Sequence, residues 1–492
     1  MLNANGMAVT AGTPLETENM KNLANIKNAK ACLIIPVENQ VRELDPKLLL
    51  ACIAVQHGFA VIIGSHREID FRIPSFPRSL YLNKSMTERN LKMFRIMEKI
   101  GHEILTWDEE ALVHLPAETY YSRRLSPTAI RYNSHLFAWG EDNAELWRQY
   151  PDLPAGMPIH VTGNPRSDML RPELRSFYDS EAEKIRDTNG HFILVNTNFN
   201  HVNAFFPAQN LFRPVKRAGK APQFGKAAVG MSREYAEGLR DHKLAVFNTF
   251  KQLIPTLDQV FVNHTIIVRP HPTENQQVYQ DIARDCQRVK VTNDGNVVPW
   301  LMATDAVIHN GCTTGVEAYM MGVPAVSYRA AIDEIFDMGF YRLPNLISHQ
   351  CFDIDSLVET LTKIIRGELG TADGEDRRAL VNQYLAAQDG PLACERIVDV
   401  LEKKMERQPV LPKPPLSDRL LGKALADWRR LVKHVRKHLP GKQAPPEFHR
   451  HRYPGVSLQE LVNRISKIQQ VLGDNRSIKA ENISGQIFLM RP

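Results

Sequence analysis

Two short clusters carry the residue types that handle anions. The first is Arg269-Pro270-His271-Pro272, which follows the apolar run Ile266-Ile267-Val268. Prolines on both sides of His271 stiffen its backbone, so a rigid turn aims the imidazole. Arg269 is a permanent cation suited to phosphate or carboxylate oxygens. His271 is able to donate to a phosphate and titrates near neutrality when unperturbed. The second cluster is His309-Asn310-Gly311-Cys312-Thr313-Thr314-Gly315-Val316-Glu317. It sits between a buried strand, Ala306-Val307-Ile308, and a helix that stops at Gly322-Val323-Pro324. Gly311 and Gly315 permit a tight turn, and Thr313 and Thr314 place hydroxyls beside the free N–H groups of a helix start. Either an anion site or an ordinary capped turn fits this second cluster alone. A third cluster, Asp108-Glu109-Glu110, gathers three acids at a strand end. Mutual repulsion raises the proton affinity of at least one of them if they are partly buried. A solvated helix start, where acids favour the dipole, is the plainer reading. Asn196, Asn198 and Asn200 end another strand and offer groups for ligand hydroxyls.

The surrounding elements repeat a strand–helix–strand rhythm. Lys30 to Pro36 reads as a buried strand, Asp45-Pro46 as the start of a helix through Val55, and Ala60 to Gly64 as a second strand. That is a βαβ unit. The pattern recurs to about Asp187 and starts afresh at Phe192-Ile-Leu-Val-Asn196. The divisions are a flexible extension (1–29), two Rossmann-like domains (30–187 and 188–405), and a Pro-rich linker with a basic helical tail (406–492). The expected class is therefore α/β, with two parallel domains facing a cleft. In such sheets ligands bind outside the strand carboxyl ends, and all the polar clusters fall there. The stretch Thr197 to Val229, with Arg213, Lys216, Arg217, Lys220 and Lys226, is long and aperiodic, like a lid or an ordinary solvated loop.

Composition narrows the classes further. The chain of 492 residues is 43% hydrophobic and 24% charged, as a globular protein is. Its six cysteines form no CxxC pair and read as reduced packing residues of a cytosolic protein. No secretory signal and no run of eighteen apolar residues is seen. Between Lys403 and Arg452 there are fourteen Lys or Arg against four Asp or Glu, so the net charge of +6 belongs to the tail. That disfavours a nucleic-acid-binding body. Residues 418–439 form a basic helix with one apolar stripe. This suits the inner membrane surface, or a helix packed on the body or a second subunit. Gly58, Gly64 and Gly101 make no GxGxxG fingerprint, which disfavours NAD. No His/Cys spacing calls for a metal.

Arg269-Pro-His-Pro272 with His309-Asn-Gly-Cys-Thr-Thr-Gly315 resembles the HP and Ser/Thr motifs of GT-B glycosyltransferases that use CMP-activated sugars. These include sialyltransferases and Kdo transferases. From about Ala31 to about Leu401 the chain is similar to bacterial surface carbohydrate biosynthesis proteins. Thr162-Gly-Asn-Pro-Arg-Ser-Asp168 is a further point of likeness. The resemblance implies a GT-B fold with Arg269, His271, Thr313 and Thr314 on the nucleotide phosphate. It makes Asp108, Glu109 or Glu110 the carboxylate base, although the third place of the family's acidic motif is a glycine and leaves the register open. Glu317 would bind donor hydroxyls, with Asn310 as a secondary contact and Asn196 and Asn198 further candidates. No cofactor or catalytic metal is implied beyond the CMP-sugar itself.

The expected activity is transfer of a 3-deoxy-ulosonic sugar (Kdo or a nonulosonate) to a glycan or lipid-linked acceptor. It would take place in the cytoplasm, peripheral to the membrane. CDP-glycerol-type polyol-phosphate transferases, UDP-sugar enzymes of the same fold, and a non-catalytic scaffold are the alternatives.

Overall fold

The computed structural model describes residues 26, 29–114, 116–214, 221–337, 342–437, 450 and 452–492. The expected N-terminal extension and Lys216, Arg217 and Lys220 of the basic loop fall mostly or wholly outside these residues.

The first domain contains strands β1 (Cys32–Val37), β2 (Ala60–Ser65), β3 (Leu80–Asn83), β4 (Glu103–Thr106), β5 (Asn133–Ala138) and β6 (Ile159–Val161). The second contains β7 (Phe192–Thr197), β8 (Thr265–Pro270), β9 (Val289–Val291), β10 (Ala306–His309), β11 (Ala325–Tyr328) and β12 (His349–Cys351). A hairpin, β13 (Lys479–Ser484) and β14 (Ile487–Arg491), closes the chain. The helices that matter below are α1 (Gln40–Gln56), α2 (Leu91–Ile100), α3 (Ala117–Arg124), α4 (Arg233–Val260), α5 (Thr313–Met321), α6 (Leu416–Lys437) and α7 (Leu458–Leu472).

Strand order is β13-β14-β2-β1-β3-β4-β5-β6 in one sheet and β12-β11-β10-β7-β8-β9 in the other. All pairings among β1–β12 are parallel. Two parallel α/β domains facing a cleft are the GT-B arrangement. In the second sheet the chain starts at β7, runs out through β8 and β9, and returns to β10 on the other side. The order reverses between β7 and β10, and a crevice opens outside their carboxyl ends. Asn196 and His309 are paired in register there.

α1 does not begin at Asp45-Pro46 as its sequence suggests. The helix starts at Gln40, and Asp45 and Pro46 lie inside it. Asp45 is buried and pairs with Arg464 of α7 and the Tyr178 hydroxyl. Leu48 to Val55 are buried all round, so the helix shows little amphipathicity to mark its ends. It is covered because the tail comes back. β14 pairs antiparallel with β2, adding the tail's hairpin to the first sheet, and α7 packs on α1. Within 406–492, α6, α7 and the closing hairpin therefore pack on the first domain. One core joins both halves, including Trp107 and Phe137 from the first domain and Phe192 and Leu194 from the second.

Candidate functional site

A cleft of about 1270 Å³ lies between the sheets. Its second-domain wall is built by the loops after β7, β8 and β10. Gly311 takes φ of +80°, the left-handed conformation that glycine adopts without strain, and α5 follows with Cys312 as its N-cap residue. A Cβ on Gly315 would come within 2.5 Å of His309 Nε2, so no side chain fits. His309 is wholly buried. Its Nδ1 accepts from Gly311 N–H at 3.0 Å, and its Nε2–H donates to Ser348 Oγ at 2.9 Å. Burial pulls its pKa down to about 3, so it is a neutral brace holding the turn. The free N–H groups of α5 then face the cleft with Thr313 and Thr314, which line it.

His271 comes from the next loop. Its backbone N–H donates to Thr197 O and to Glu274 Oε1, both at 3.1 Å. Glu274 is buried and also accepts from the Tyr279 hydroxyl at 2.6 Å and the Thr197 hydroxyl at 3.0 Å. This buried carboxyl, raised in pKa by its burial, anchors the turn. The Thr273 backbone N–H points at His271 Nδ1 at 3.3 Å. Nδ1 is thus the acceptor, and the proton sits on Nε2 as a donor. Desolvation, with Arg42 adding to it, holds the pKa down to about 4. His271 is therefore a neutral hydrogen-bond donor, not the near-neutral acid its sequence position implied.

Arg269 is differently employed. Its guanidinium donates to Asp294 O at 2.8 Å and to Gly295 O, and packs over Trp300. Its hydrogen bonds go to main-chain carbonyls, so it shapes the cleft wall and adds positive potential. Asn310 accepts from Asn198 N–H at 2.9 Å and braces the two loops. Gly311, Asn310 and Gly315 shape the turn without lining the cleft, whereas Asn196 and Asn198 line it. Asn196 donates to Thr314 Oγ1 at 2.9 Å, and its buried Oδ1 has no partner among the described residues. A ligand hydroxyl would satisfy that oxygen.

The acidic trio separates. Asp108 is 0% exposed, pairs with Arg124, and accepts from the Tyr120 hydroxyl at 2.8 Å. Glu109 is buried against the Trp107 indole N–H at 2.8 Å, with Lys47 3.6 Å away. Neither faces the cleft. Glu110 does: its side chain is 48% exposed, lies 3.6 Å from Arg42, and acts electrostatically on His271. The backbone turn explains the split, because Glu110 N–H donates to Asp108 Oδ1 and so sends the two side chains apart.

Glu317 faces the cleft but is bound to Arg166 of the first domain at 2.7 Å. Arg166 stacks on Trp139, and burial lowers its pKa. The turn that carries Arg166 is also the seam of the two domains. Asp168 accepts the N–H groups of Ala393 and Cys394, each at 2.8 Å, and so caps the helix Ala393–Arg407.

A basic group that the sequence reading passed over lies further along the cleft. It comprises Arg123 on α3, Lys243 on α4, and His201. Burial first, then Lys243, Arg123 and His271, hold the His201 pKa well below its usual value. Its Nδ1 is buried without a partner among the described residues. Three cationic or donor groups around one wall favour an anion. Lys243 was hidden in a helical run and His201 in a polar loop, so only their convergence reveals them.

Metal-ligand geometry occurs among the described residues only at His191, His264 and Asp305. These lie at the opposite strand ends, and Arg186 already pairs with Asp305 at 3.0 Å. A guanidinium in that position disfavours a divalent cation.

No protein-family model matches the chain, and no curated protein matches it. Solved structures similar to it include the wall teichoic acid polymerase TagF, in a variant form soaked with CDPG. Identity is 12% over 80% of this chain and 94% of that one, with a TM-score of 0.46. A UDP-GlcNAc 2-epimerase from Methanocaldococcus jannaschii with UDP-GlcNAc and UDP is 11% identical, covering 76% and 99%, with a TM-score of 0.43. The Neisseria meningitidis UDP-GlcNAc 2-epimerase is 12% identical, covering 77% and 99%, with a TM-score of 0.40. At such identity the likeness concerns the fold and assigns no activity.

Proposed function

We propose that the chain is a GT-B glycosyltransferase that moves a 3-deoxy-ulosonic sugar from a CMP donor to a surface-glycan or lipid-linked acceptor at the inner face of the cytoplasmic membrane. The observation that carries a group-transfer reading is the approach of three groups across one cleft. The His271 Nε2–H donor and the α5 N-terminus stand on one wall, and the Glu110 carboxylate stands on the other. Choice of CMP and of the sugar rests on the motif resemblance.

The donor phosphate would sit on the α5 N–H groups with the Thr313 and Thr314 hydroxyls. His271 would donate to it, offsetting charge as the bond from the sugar to the phosphate oxygen breaks. Glu110, with Arg42 beside it, would accept the proton of the acceptor hydroxyl as that oxygen bonds the sugar carbon. CMP leaves with the electron pair of the broken bond. Asn196 Oδ1 is suited to a donor hydroxyl. Incubation with CMP-Kdo or a CMP-nonulosonate and a glycan acceptor, read by acceptor-dependent CMP release, tests this. Release from neither donor contradicts it.

The group of Arg123, His201 and Lys243 favours a second reading. An additional anion there suits a CDP-polyol donor or a phosphate-bearing acceptor. CMP release from CDP-glycerol, and not from CMP-sugars, selects that reading.

A further inference from the structure

The tail helix α6 is fastened to the body by one face. Gly422 lies against α2, where an added Cβ would be 2.7 Å from Ile100 Cγ2. Ala426 enters the core beside Phe94, Ile96 and Met97. Asp418 pairs with Lys99 at 2.9 Å, Arg429 with Asp70 at 3.2 Å, and Arg430 donates to Phe71 O at 2.6 Å. These contacts fix the rotation of the helix about its axis.

The side turned outward is the apolar one. Leu421, Leu425, Trp428, Leu431 and Val435 are 47%, 37%, 66%, 53% and 53% exposed. A surface helix normally buries such a stripe. Here polar contacts and two small residues hold the helix down, and the stripe is left facing out along its length.

The charge around the stripe is predominantly positive. The helix carries seven Lys or Arg against two Asp. Both acids are already paired, Asp418 with Lys99 and Asp427 with Arg430 at 2.8 Å. Lys423 is exposed, as are Lys92 and Arg95 on the adjoining α2. The Lys433 ammonium is pulled down to about 8 by burial and then by Arg429, with Arg67 contributing. Asp70, which pairs with Arg429, opposes that shift, and Glu98 on α2 is a further acid near the seam, acting on Lys99. No helix among the described residues is long and apolar enough to cross a membrane.

We infer that α6 is an in-plane anchor that lays Leu421, Leu425, Trp428, Leu431 and Val435 into the headgroup boundary of an anionic phospholipid bilayer. Charge complementarity selects the occupant. A cationic frame round an apolar ridge with a tryptophan matches acidic headgroups over acyl chains. At about 1.5 Å per residue, the helix offers about 30 Å of continuous contact. This inference does not depend on which reaction the cleft performs.

The test uses the full chain with phosphatidylcholine vesicles, with and without phosphatidylglycerol, in a flotation assay. Trp428 is also a built-in reporter, since Trp107, Trp139, Trp147 and Trp300 are buried. Expected results are flotation with phosphatidylglycerol vesicles, weakening with salt, and a blue shift of tryptophan emission with loss of acrylamide quenching. The double variant Leu425→Ser with Trp428→Ser changes only exposed positions. It should keep the circular dichroism and melting temperature of the parent and float at least about tenfold less. Lys423→Glu should weaken binding to acidic vesicles alone. A parent chain that stays with the soluble fraction, its quenching unchanged by phosphatidylglycerol, overturns the inference. So does sedimentation as a dimer with Trp428 shielded without lipid, which would make a second copy the occupant.

Discussion

Exchanging Asp108 and Glu110 for their amides, one at a time, separates two adjacent acids that the sequence treats alike. Asp108 is fully buried, and its carboxylate holds Arg124, the Tyr120 hydroxyl at 2.8 Å and the Glu110 N–H at 3.1 Å. Asp108→Asn leaves the Arg124 guanidinium facing a neutral amide. Breaking a buried pair on one side costs about 3–5 kcal/mol. For a domain of this size that lowers the melting temperature by about 10 °C. Among the described residues the Glu110 carboxylate makes one ion pair, with Arg42 at 3.6 Å, and is half exposed. Glu110→Gln should change stability by less than about 1 kcal/mol. Loss of a general base costs about 10²–10⁴ in turnover. Thermal unfolding by circular dichroism and CMP release with saturating acceptor read the two effects on the same samples. An active Glu110→Gln enzyme, or a stable and inactive Asp108→Asn enzyme, refutes the assignment of the base to Glu110.

Other outcomes follow from the same geometry. Gly315→Ala drives a methyl to 2.5 Å from His309 Nε2, and should cost about 1–3 kcal/mol in unfolding free energy measured by urea titration. His102, His271 and His309 have pKa values held down to about 4, 4 and 3 by burial. Their depressed values mean that the unfolded chain takes up protons first, so stability is present above about pH 6.5 and falls as pH drops towards 4. Melting temperatures across that window should decline with acidification, and a flat profile contradicts it. Lys243→Ala should raise the acceptor KM several-fold while leaving CMP affinity unchanged, whereas equal loss of both places Lys243 at the donor phosphate.

The parallel sheets were readable because their strands are buried on both faces and appear as unbroken apolar runs, such as Ala60 to Ile63 and Ile193 to Val195. The two turns at His271 and Thr313 were readable because proline and glycine mark backbone geometry directly. Side-chain direction was not. Asp108, Glu109 and Glu110 are one acidic word in the sequence, and only the turn's hydrogen bond from Glu110 N–H to Asp108 sends them to different places. Arg269 looked like a phosphate ligand, but its partners are carbonyls in a loop 25 residues away. The start of α1 at Gln40 is hidden because Pro46 looks like a first-turn residue and the helix is buried on every side from Leu48 to Val55. The return of the tail to β2 depends on pairing across most of the chain, for which local pattern holds no signal. The tail stripe was readable, but its outward direction was set by Gly422 and Ala426 packing against α2.

The proposed clamp for the phosphate of a cytidine nucleotide is made by His271 and the α5 N-terminus. Isothermal titration of the full chain with CMP, CDP and UMP tests it most directly, with His271→Ala and Thr314→Val alongside. CMP should bind, and its binding should weaken about tenfold or more in His271→Ala, the loss of one hydrogen bond to a charged group, and also in Thr314→Val. Tight UMP binding without CMP binding, or CMP affinity indifferent to His271, contradicts it.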